Sequence, residues 1–122
     1  MAYFPMFIEL EGKTVLIVGG GQVARRKLEK LLPYGARITV AAPHIGSAII
    51  KLGADKYINA SFSADMLNDA DIVIAATDDH AVNREISALC RERKIPVNVV
   101  DDKELCSFIF PALVKRGNMS IG

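Results

Sequence analysis

TVLIVGGGQVA, residues 14–24, places a short apolar run directly before a glycine triplet. A continuous apolar run of this length is typical of a strand buried on both faces, as in a parallel sheet. The triplet with Ala24 fits the G-x-G-x-x-G/A fingerprint: Gly19 permits the tight turn, Gly21 lets backbone approach a pyrophosphate, and Ala24 lets the next helix lie close to the sheet. A flexible turn without a ligand would also contain such glycines. The strand before the triplet and the helix after it favour a dinucleotide-binding loop.

Strand and helix patterns alternate over most of the remaining chain. Strands are predicted at Thr14–Gly20, Arg37–Ala42, Lys56–Ala60, Asp71–Thr77 and Pro96–Val100, and helices at Gln22–Pro33, 45–50, Ala64–Asp69 and His80–Arg93. This order implies right-handed crossovers and a mostly parallel sheet. The predicted fold class is therefore α/β, a Rossmann-type doubly wound parallel sheet. After Asp101 the alternation stops, and Ser107–Val114 and Asn118–Ile121 read as extended segments joined by Lys115-Arg116-Gly117, the start of something appended.

Composition excludes several classes of function. The chain has 122 residues, 51% of them hydrophobic and 24% charged, which is typical of one globular domain. A formal net charge of +1 gives no strong field toward nucleic acid or a membrane, and neither a signal peptide nor a bilayer-spanning run is apparent. Cys90 and Cys106 have no CxxC or metal-ligand spacing with His44 or His80. These features predict reduced thiols, no metal site and a cytoplasmic location.

The second predicted strand lacks an acid at its end. Many NAD sites have Asp or Glu there to bind the ribose hydroxyls, whereas this chain has Ala41-Ala42-Pro43-His44. The choice between NAD and NADP therefore stays open. His44 is either a ribose contact or, as we favour, a solvated loop histidine.

Polar residues follow the fourth and fifth predicted strands, where ligands of open parallel sheets bind. After the fourth strand, Thr77 and Asp78 are placed to line the crevice, although Asp78 or Asp79 is expected to cap the next helix instead. Asn83 is either a crevice residue or a solvated one. After the fifth strand, Asp101 is a candidate to accept a proton while hydride leaves for a nicotinamide, although an ordinary turn aspartate would fit the same position.

Asp102, the neighbour of Asp101, is expected to be solvated. The basic residues of the first predicted helix have two possible interpretations. The cluster formed by Arg25, Arg26 and Lys27 is either a solvated helix face or an attraction for a polyanionic ligand, and spacing does not choose between them.

Several of these stretches together resemble one family. They are PMFIELEGKTVLIVGGGQVARRK (5–27), ATDD (76–79) followed by Asn83, and NVVDD (98–102) followed by SFIFPA (107–112). They are similar to the precorrin-2 dehydrogenase/sirohydrochlorin ferrochelatase family, the N-terminal part of bacterial siroheme synthase. The resemblance implies NAD-dependent dehydrogenation of precorrin-2 to sirohydrochlorin, and iron insertion in some members. It places catalysis on Asp101 and cofactor binding on Gly19, Gly20, Gly21, Gln22, Val23 and Thr77.

The resemblance also bears on domain organisation and partners. It implies a NAD-binding Rossmann domain over 1–106 and, over 107–122, the beginning of a dimerisation segment that family members continue further. A homodimer that takes precorrin-2 as its substrate is therefore expected.

Three alternative functions fit the glycine loop and the strand ends to different degrees. A nucleotide-sensing regulatory domain of the potassium-transport type shares the loop and the AATDD run (75–79), but it normally has the acid that the second strand lacks here. A ligand-free oligomerisation module would not need a phosphate-binding glycine loop, so the loop argues against it. A different small dehydrogenase that uses NADP would fit the missing acid.

Overall fold

Parallel strands form the centre of the molecule. The computed structural model describes residues 4, 6–109, 114–116 and 119–121. Its main sheet has five strands: β1 (Thr14–Val18), β2 (Arg37–Ala41), β3 (Lys56–Ile58), β4 (Ile72–Ala75) and β5 (Val97–Val99). Their order across the sheet is β3-β2-β1-β4-β5, and every neighbouring pair is parallel. This is the doubly wound arrangement, so the predicted fold class is confirmed.

Helices cover both faces of this sheet: α1 (Gln22–Leu31), α2 (Ser47–Leu52) and α3 (His80–Glu92). The alternation of side chains along β1 explains why both faces need covering. Val15 and Ile17 pack with α1 and α2, while Leu16 and Val18 pack with α3. A strand buried on both faces carries no polar alternation. Cys90 of α3 is fully buried in the second of these cores, and burial raises the pKa of its thiol to about 11.

Several element ends differ from the predictions for local reasons. Helix α1 ends at Leu31, two residues before the predicted Pro33, because the chain tightens into a 3₁₀ turn at Leu32–Tyr34. Gly35 then takes a left-handed conformation (φ 79°), as expected of a glycine that follows a helix. The predicted helical piece at Ala64–Asp69 is a 3₁₀ helix over Ala64–Leu67.

The chain after β5 departs more from the prediction. A 3₁₀ helix at Lys103–Leu105 was not predicted. The chain then returns along β5, where the Ser107 amide donates to Val97 O at 2.8 Å, and residues 107–109 form no strand. Residues 110–113 lie outside the described part. Strands β6 (Val114–Arg116) and β7 (Met119–Ile121) pair antiparallel in a separate sheet, so Lys115 and Arg116 belong to a strand and not to the predicted connection. The domain boundary at 106 stays a prediction.

Candidate functional site at the carboxyl ends of the strands

The glycine loop lies where the strand order reverses. Gly19 follows β1, and its amide donates to Ala41 O of β2 at 2.9 Å. On the other side, a side chain at Gly19 would collide with the carbonyl of Ala76, which follows β4. Gly19 also has a φ of +140°, a conformation that favours glycine. The loop therefore occupies the crevice between the two halves of the sheet, where open α/β sheets bind their ligands.

Gly20 and Gly21 meet different surroundings. A side chain at Gly20 would collide with the carbonyl of His44, and Gly20 O accepts the Gly46 amide at 3.0 Å. These contacts hold the loop against the connection from β2 to α2. At Gly21 an added Cβ would meet none of the described residues within 4 Å. The described surface over Gly21 is therefore open and leaves room for a ligand to approach the loop from this side.

The start of α1 completes the anion-binding geometry. Gly21 is the N-cap residue and has no side chain to satisfy the first amides of the helix, so these amides are left for a ligand or for water. Gln22 is exposed and accepts a hydrogen bond from Arg25 Nε at 3.0 Å, and Val23 is half-buried against the core. An open glycine surface beside unsatisfied helix amides fits a pyrophosphate, so the residues present suit the predicted dinucleotide.

The loop after β2 is where a ribose-binding acid would stand. Ala42 is buried, whereas Pro43 and His44 are exposed. The side chain of His44 is solvated, in line with the interpretation favoured from the sequence, and its backbone carbonyl is the atom that faces the glycine loop.

The turn after β4 is held by Asn83. This residue is buried, with 3% of its surface exposed, so a solvated side chain at this position is ruled out. Asn83 Oδ1 accepts from the Thr77 hydroxyl at 2.6 Å and from the Thr77 amide at 3.3 Å, and Asn83 Nδ2 donates to Thr77 O at 3.1 Å. The feature of the sequence that indicated this arrangement is an asparagine one turn into the predicted helix, because its side-chain amide can both donate to and accept from the preceding turn.

Asp79 caps α3, as predicted for one of the two aspartates. Its carboxylate accepts from the amides of Ala81 at 2.9 Å and Val82 at 3.4 Å. Asp78 is exposed. The Thr77 hydroxyl is occupied within this turn, because it also accepts from the Asp79 amide at 3.2 Å. These hydrogen bonds hold Thr77 in place directly after Ala76, whose carbonyl faces Gly19.

Asp101 stands at the carboxyl end of β5 in an uncommon backbone conformation. Its φ is 60°, in the left-handed region that aspartate and asparagine tolerate better than most residues, and it is exposed. It lines a groove of about 460 Å³ together with Lys27 of α1 and the chain around β5. Asp102, expected to be solvated, is half-buried and lines the same groove.

The three basic residues of α1 lie in different environments. Arg25 forms an ion pair with Glu29, and Arg26 is exposed. Lys27 is half-buried in the groove beside Asp101. Burial lowers the pKa of the Lys27 ammonium and Lys30 adds to this effect, while Cys106 and Asp101 act in the opposite direction. A solvated helix face therefore describes Arg26, whereas Lys27 lines the groove beside Asp101.

Neither a cluster of metal ligands nor a membrane-spanning helix occurs in the described part of the chain. Among those residues, no three His, Cys, Asp or Glu side chains are grouped as metal ligands. Within the same ranges, every helix is too short or too polar to cross a bilayer.

An open parallel sheet with a glycine loop at its reversal point defines a dinucleotide-binding domain of the Rossmann type. Comparison with known families agrees. The sequence profile of an NAD(P)-binding family matches residues 6–112, and the chain belongs to this family. The prediction of a nicotinamide dinucleotide cofactor is thereby confirmed at the level of NAD(P).

Individual relatives add a narrower likeness. The chain is 46% identical to the siroheme synthase of Psychrobacter sp. (strain PRwf-1) over 100% of its own length and 26% of that protein. It is 42% identical to the siroheme synthase of Neisseria meningitidis serogroup B (strain MC58), over 99% of the chain and 26% of that protein. The chain thus spans about a quarter of the length of these relatives. The solved structure of SirC, a precorrin-2 dehydrogenase, matches with a TM-score of 0.79 and 28% identity over 98% of the chain and 60% of SirC. The resemblance seen in the sequence is confirmed by these matches.

Proposed function

We propose that this chain is the NAD-dependent dehydrogenase region of a siroheme-forming enzyme and oxidises precorrin-2 to sirohydrochlorin. The observation that carries the proposal is the placement of Asp101 on the same edge of the sheet as the glycine loop. The matches to siroheme synthases and to SirC support it, because they extend over nearly the whole chain. They give no support to a nucleotide-sensing domain.

The reaction divides between the cofactor and the protein. NAD supplies the hydride acceptor when it is bound. The glycine loop (Gly19–Gly21) and the first turn of α1, with Gln22 and Val23, hold the pyrophosphate, and Thr77 supports the cofactor from the β4 side. Asp101 accepts the proton that the macrocycle loses as the hydride leaves a neighbouring carbon. Precorrin-2 and NAD⁺ thereby give sirohydrochlorin, NADH and one proton, which Asp101 releases to solvent.

Asp101→Asn is the appropriate variant to test this role. Asparagine tolerates the left-handed conformation at this position, so the substitution removes the charge and leaves the turn in place. The control is Asp69→Asn, an exposed aspartate near Thr14 at the opposite end of the sheet. Each protein is mixed anaerobically with precorrin-2 and NAD while NADH and sirohydrochlorin are followed by absorbance.

We expect the unchanged chain and Asp69→Asn to turn over alike, and Asp101→Asn to lose about 100-fold or more of kcat with unchanged affinity for NAD. Full activity in Asp101→Asn would remove Asp101 from the mechanism. Absence of turnover in the unchanged chain, with NAD bound, would contradict the proposed reaction.

We also propose that the protein is a homodimer assembled through the segment 107–122. The support is that β6 and β7 form their own two-stranded sheet, whose edges offer backbone groups for pairing with another chain. Sedimentation equilibrium measures this directly, and a monomer at micromolar concentration would contradict it.

A further inference from the structure

A stripe of polar side chains runs along α3. Asn83, Ser87 and Arg91 stand four residues apart, so they lie on one side of the helix. Asn83 and Ser87 are buried, with 3% and 1% of their surface exposed. Asn83 holds the turn that contains Thr77. Ser87 and Arg91 bind a different segment, the loop that follows Asp101.

Ser87 and Arg91 donate to three consecutive backbone carbonyls of this loop. The Ser87 hydroxyl donates to Leu105 O at 2.6 Å. Arg91 Nη2 donates to Cys106 O at 2.9 Å and to Glu104 O at 3.2 Å. Arg91 Nε also donates to Ser87 Oγ at 3.4 Å. The carbonyls stand at the end of the short 3₁₀ helix of the loop, where the last carbonyls of a helix have no partner within it. A planar guanidinium with five N–H groups suits several such acceptors at once.

Two backbone hydrogen bonds connect these carbonyls to the turn of Asp101. The Leu105 amide donates to Asp102 O at 3.3 Å, and the Asp102 amide donates to Val99 O at 3.3 Å. Asp101 lies in the turn that the second bond closes, in the left-handed conformation, and it is exposed. The place of its carboxylate therefore depends on the backbone of the loop, and α3 holds part of that backbone.

We propose that Ser87 and Arg91 are positioning residues for Asp101, because they fix its loop to the helix that also holds the Thr77 turn. The inference rests on the proposed function, since Asp101 is the proton acceptor of that reaction. One helix then sets the relation between the proposed cofactor contact and the proposed proton acceptor. Such a relation affects the rate strongly, because a displacement of about 1 Å in a reacting group can lower a rate by about 100-fold.

Two variants remove the hydrogen bonds to the loop, and a third is their matched control. Arg91→Met removes the guanidinium and keeps much of the apolar stem, while Ser87→Ala removes the hydroxyl. The control is Arg93→Met. Arg93 is also an exposed arginine at the end of α3, but it donates to Ala64 O at 3.3 Å and Asn68 Oδ1 at 3.1 Å, in the connection from β3 to β4. The control therefore removes the same charge and a similar pair of hydrogen bonds from a different segment.

The loop is measured first, without any reaction. Amide hydrogen exchange is followed by NMR, for which a chain of 13.2 kDa is well suited. We expect the amides of 102–106 to exchange about tenfold faster or more in Arg91→Met and in Ser87→Ala. Arg93→Met should stay within about threefold of the unchanged chain. Unchanged exchange in the first two variants would overturn the assignment, and so would an equal rise in the control.

Turnover of precorrin-2 then tests the effect on Asp101. We expect Arg91→Met to lose about tenfold to a hundredfold of kcat with KM unchanged, and Arg93→Met to behave as the unchanged chain. In the Asp101→Asn background, Arg91→Met should cause no further loss, because the group that it positions is already removed. An equal loss in both backgrounds would indicate a general structural role and overturn the assignment. A raised KM with normal kcat would also overturn it, because Arg91 would then be a substrate contact.

The two proposals fail in different ways. Absence of turnover in the unchanged chain, with faster loop exchange in Arg91→Met, would refute the reaction and uphold the attachment of the loop to α3. Turnover that Arg91→Met and Ser87→Ala leave intact would refute the positioning role and leave the dehydrogenase in place.

Discussion

An added Cβ at Gly21 has open space around it, whereas one at Gly20 would strike the carbonyl of His44. Both residues belong to the same motif, yet a side chain would have a different effect at each position. At Gly20 it would displace the protein's own backbone. At Gly21, where φ is −104° and the backbone is extended, it would occupy the surface through which a pyrophosphate approaches.

Gly21→Val should therefore affect the ligand more than the fold. We expect the free energy of unfolding to fall by at most about 1 kcal/mol, because valine is a poorer N-cap residue than glycine, and the affinity for NAD to fall by about tenfold or more. Calorimetric titration with NAD and urea unfolding measure the two quantities on the same preparation.

Gly20→Val is the matched control. Forcing a side chain against a backbone carbonyl is expected to cost about 1–3 kcal/mol of stability, as overpacking does elsewhere. If Gly21→Val were the less stable of the two variants, or bound NAD normally, the open surface over Gly21 would not be the phosphate site.

At the scale of elements, the turn after β5 is held together by hydrogen bonds to the thiol of Cys106. Cys106 Sγ accepts from the Val99 amide at 3.0 Å and lies 3.2 Å from Val99 O and 3.3 Å from Asp102 O, one of which accepts its S–H. These contacts close the loop whose apex is Asp101. Cys106 is therefore a positioning residue for the proposed proton acceptor.

Cys106→Ala should loosen this turn. Loss of the sulfur contacts is expected to cost about 1–2 kcal/mol of stability and to lower kcat for precorrin-2 with unchanged affinity for NAD. Cys106→Ser, which keeps a donor and an acceptor at the same place, should recover most of both losses. Identical behaviour of the two variants in urea unfolding and turnover assays would exclude the positioning role.

The same turn shows where sequence reasoning reaches its limit. Most of the five strands were predictable because consecutive apolar residues, such as those of 14–18, are typical of a buried strand. The glycine loop was predictable because the motif's order reflects backbone geometry. The loop of Asp101 depends on a sulfur contact, a left-handed aspartate and a 3₁₀ helix, and none of these has a periodic signature. The burial of Asn98 was not predictable for a related reason, since burial of a lone polar residue is decided by tertiary contacts. For Asn83 the sequence left a crevice position and a solvated position open, and tertiary contacts decide between them.

At the scale of the whole molecule, the proposed proton acceptor and the usual ribose-binding position lie at different places along the sheet. Asp101, the proposed proton acceptor, follows β5 and lines a groove there. The position at which NAD sites usually carry a ribose-binding acid follows β2. In the strand order β3-β2-β1-β4-β5, strands β1 and β4 lie between these two positions.

The β2 end offers no carboxylate to repel a 2′-phosphate, because Ala42, Pro43 and an exposed His44 stand where an acid usually binds the ribose. We therefore expect weak discrimination, with NADP binding within about tenfold of NAD, a difference of about 1.4 kcal/mol. Thermal unfolding measures this across the whole molecule, since a ligand at about 100 times its Kd adds about 2.7 kcal/mol to the free energy of unfolding. Matched concentrations of the two dinucleotides should give melting temperatures a few degrees apart, both above that of the free chain. Introducing the acid as Ala42→Asp or Pro43→Asp should abolish the response to NADP and keep that to NAD. A chain that already ignores NADP would mean that groups other than a second-strand acid exclude the phosphate.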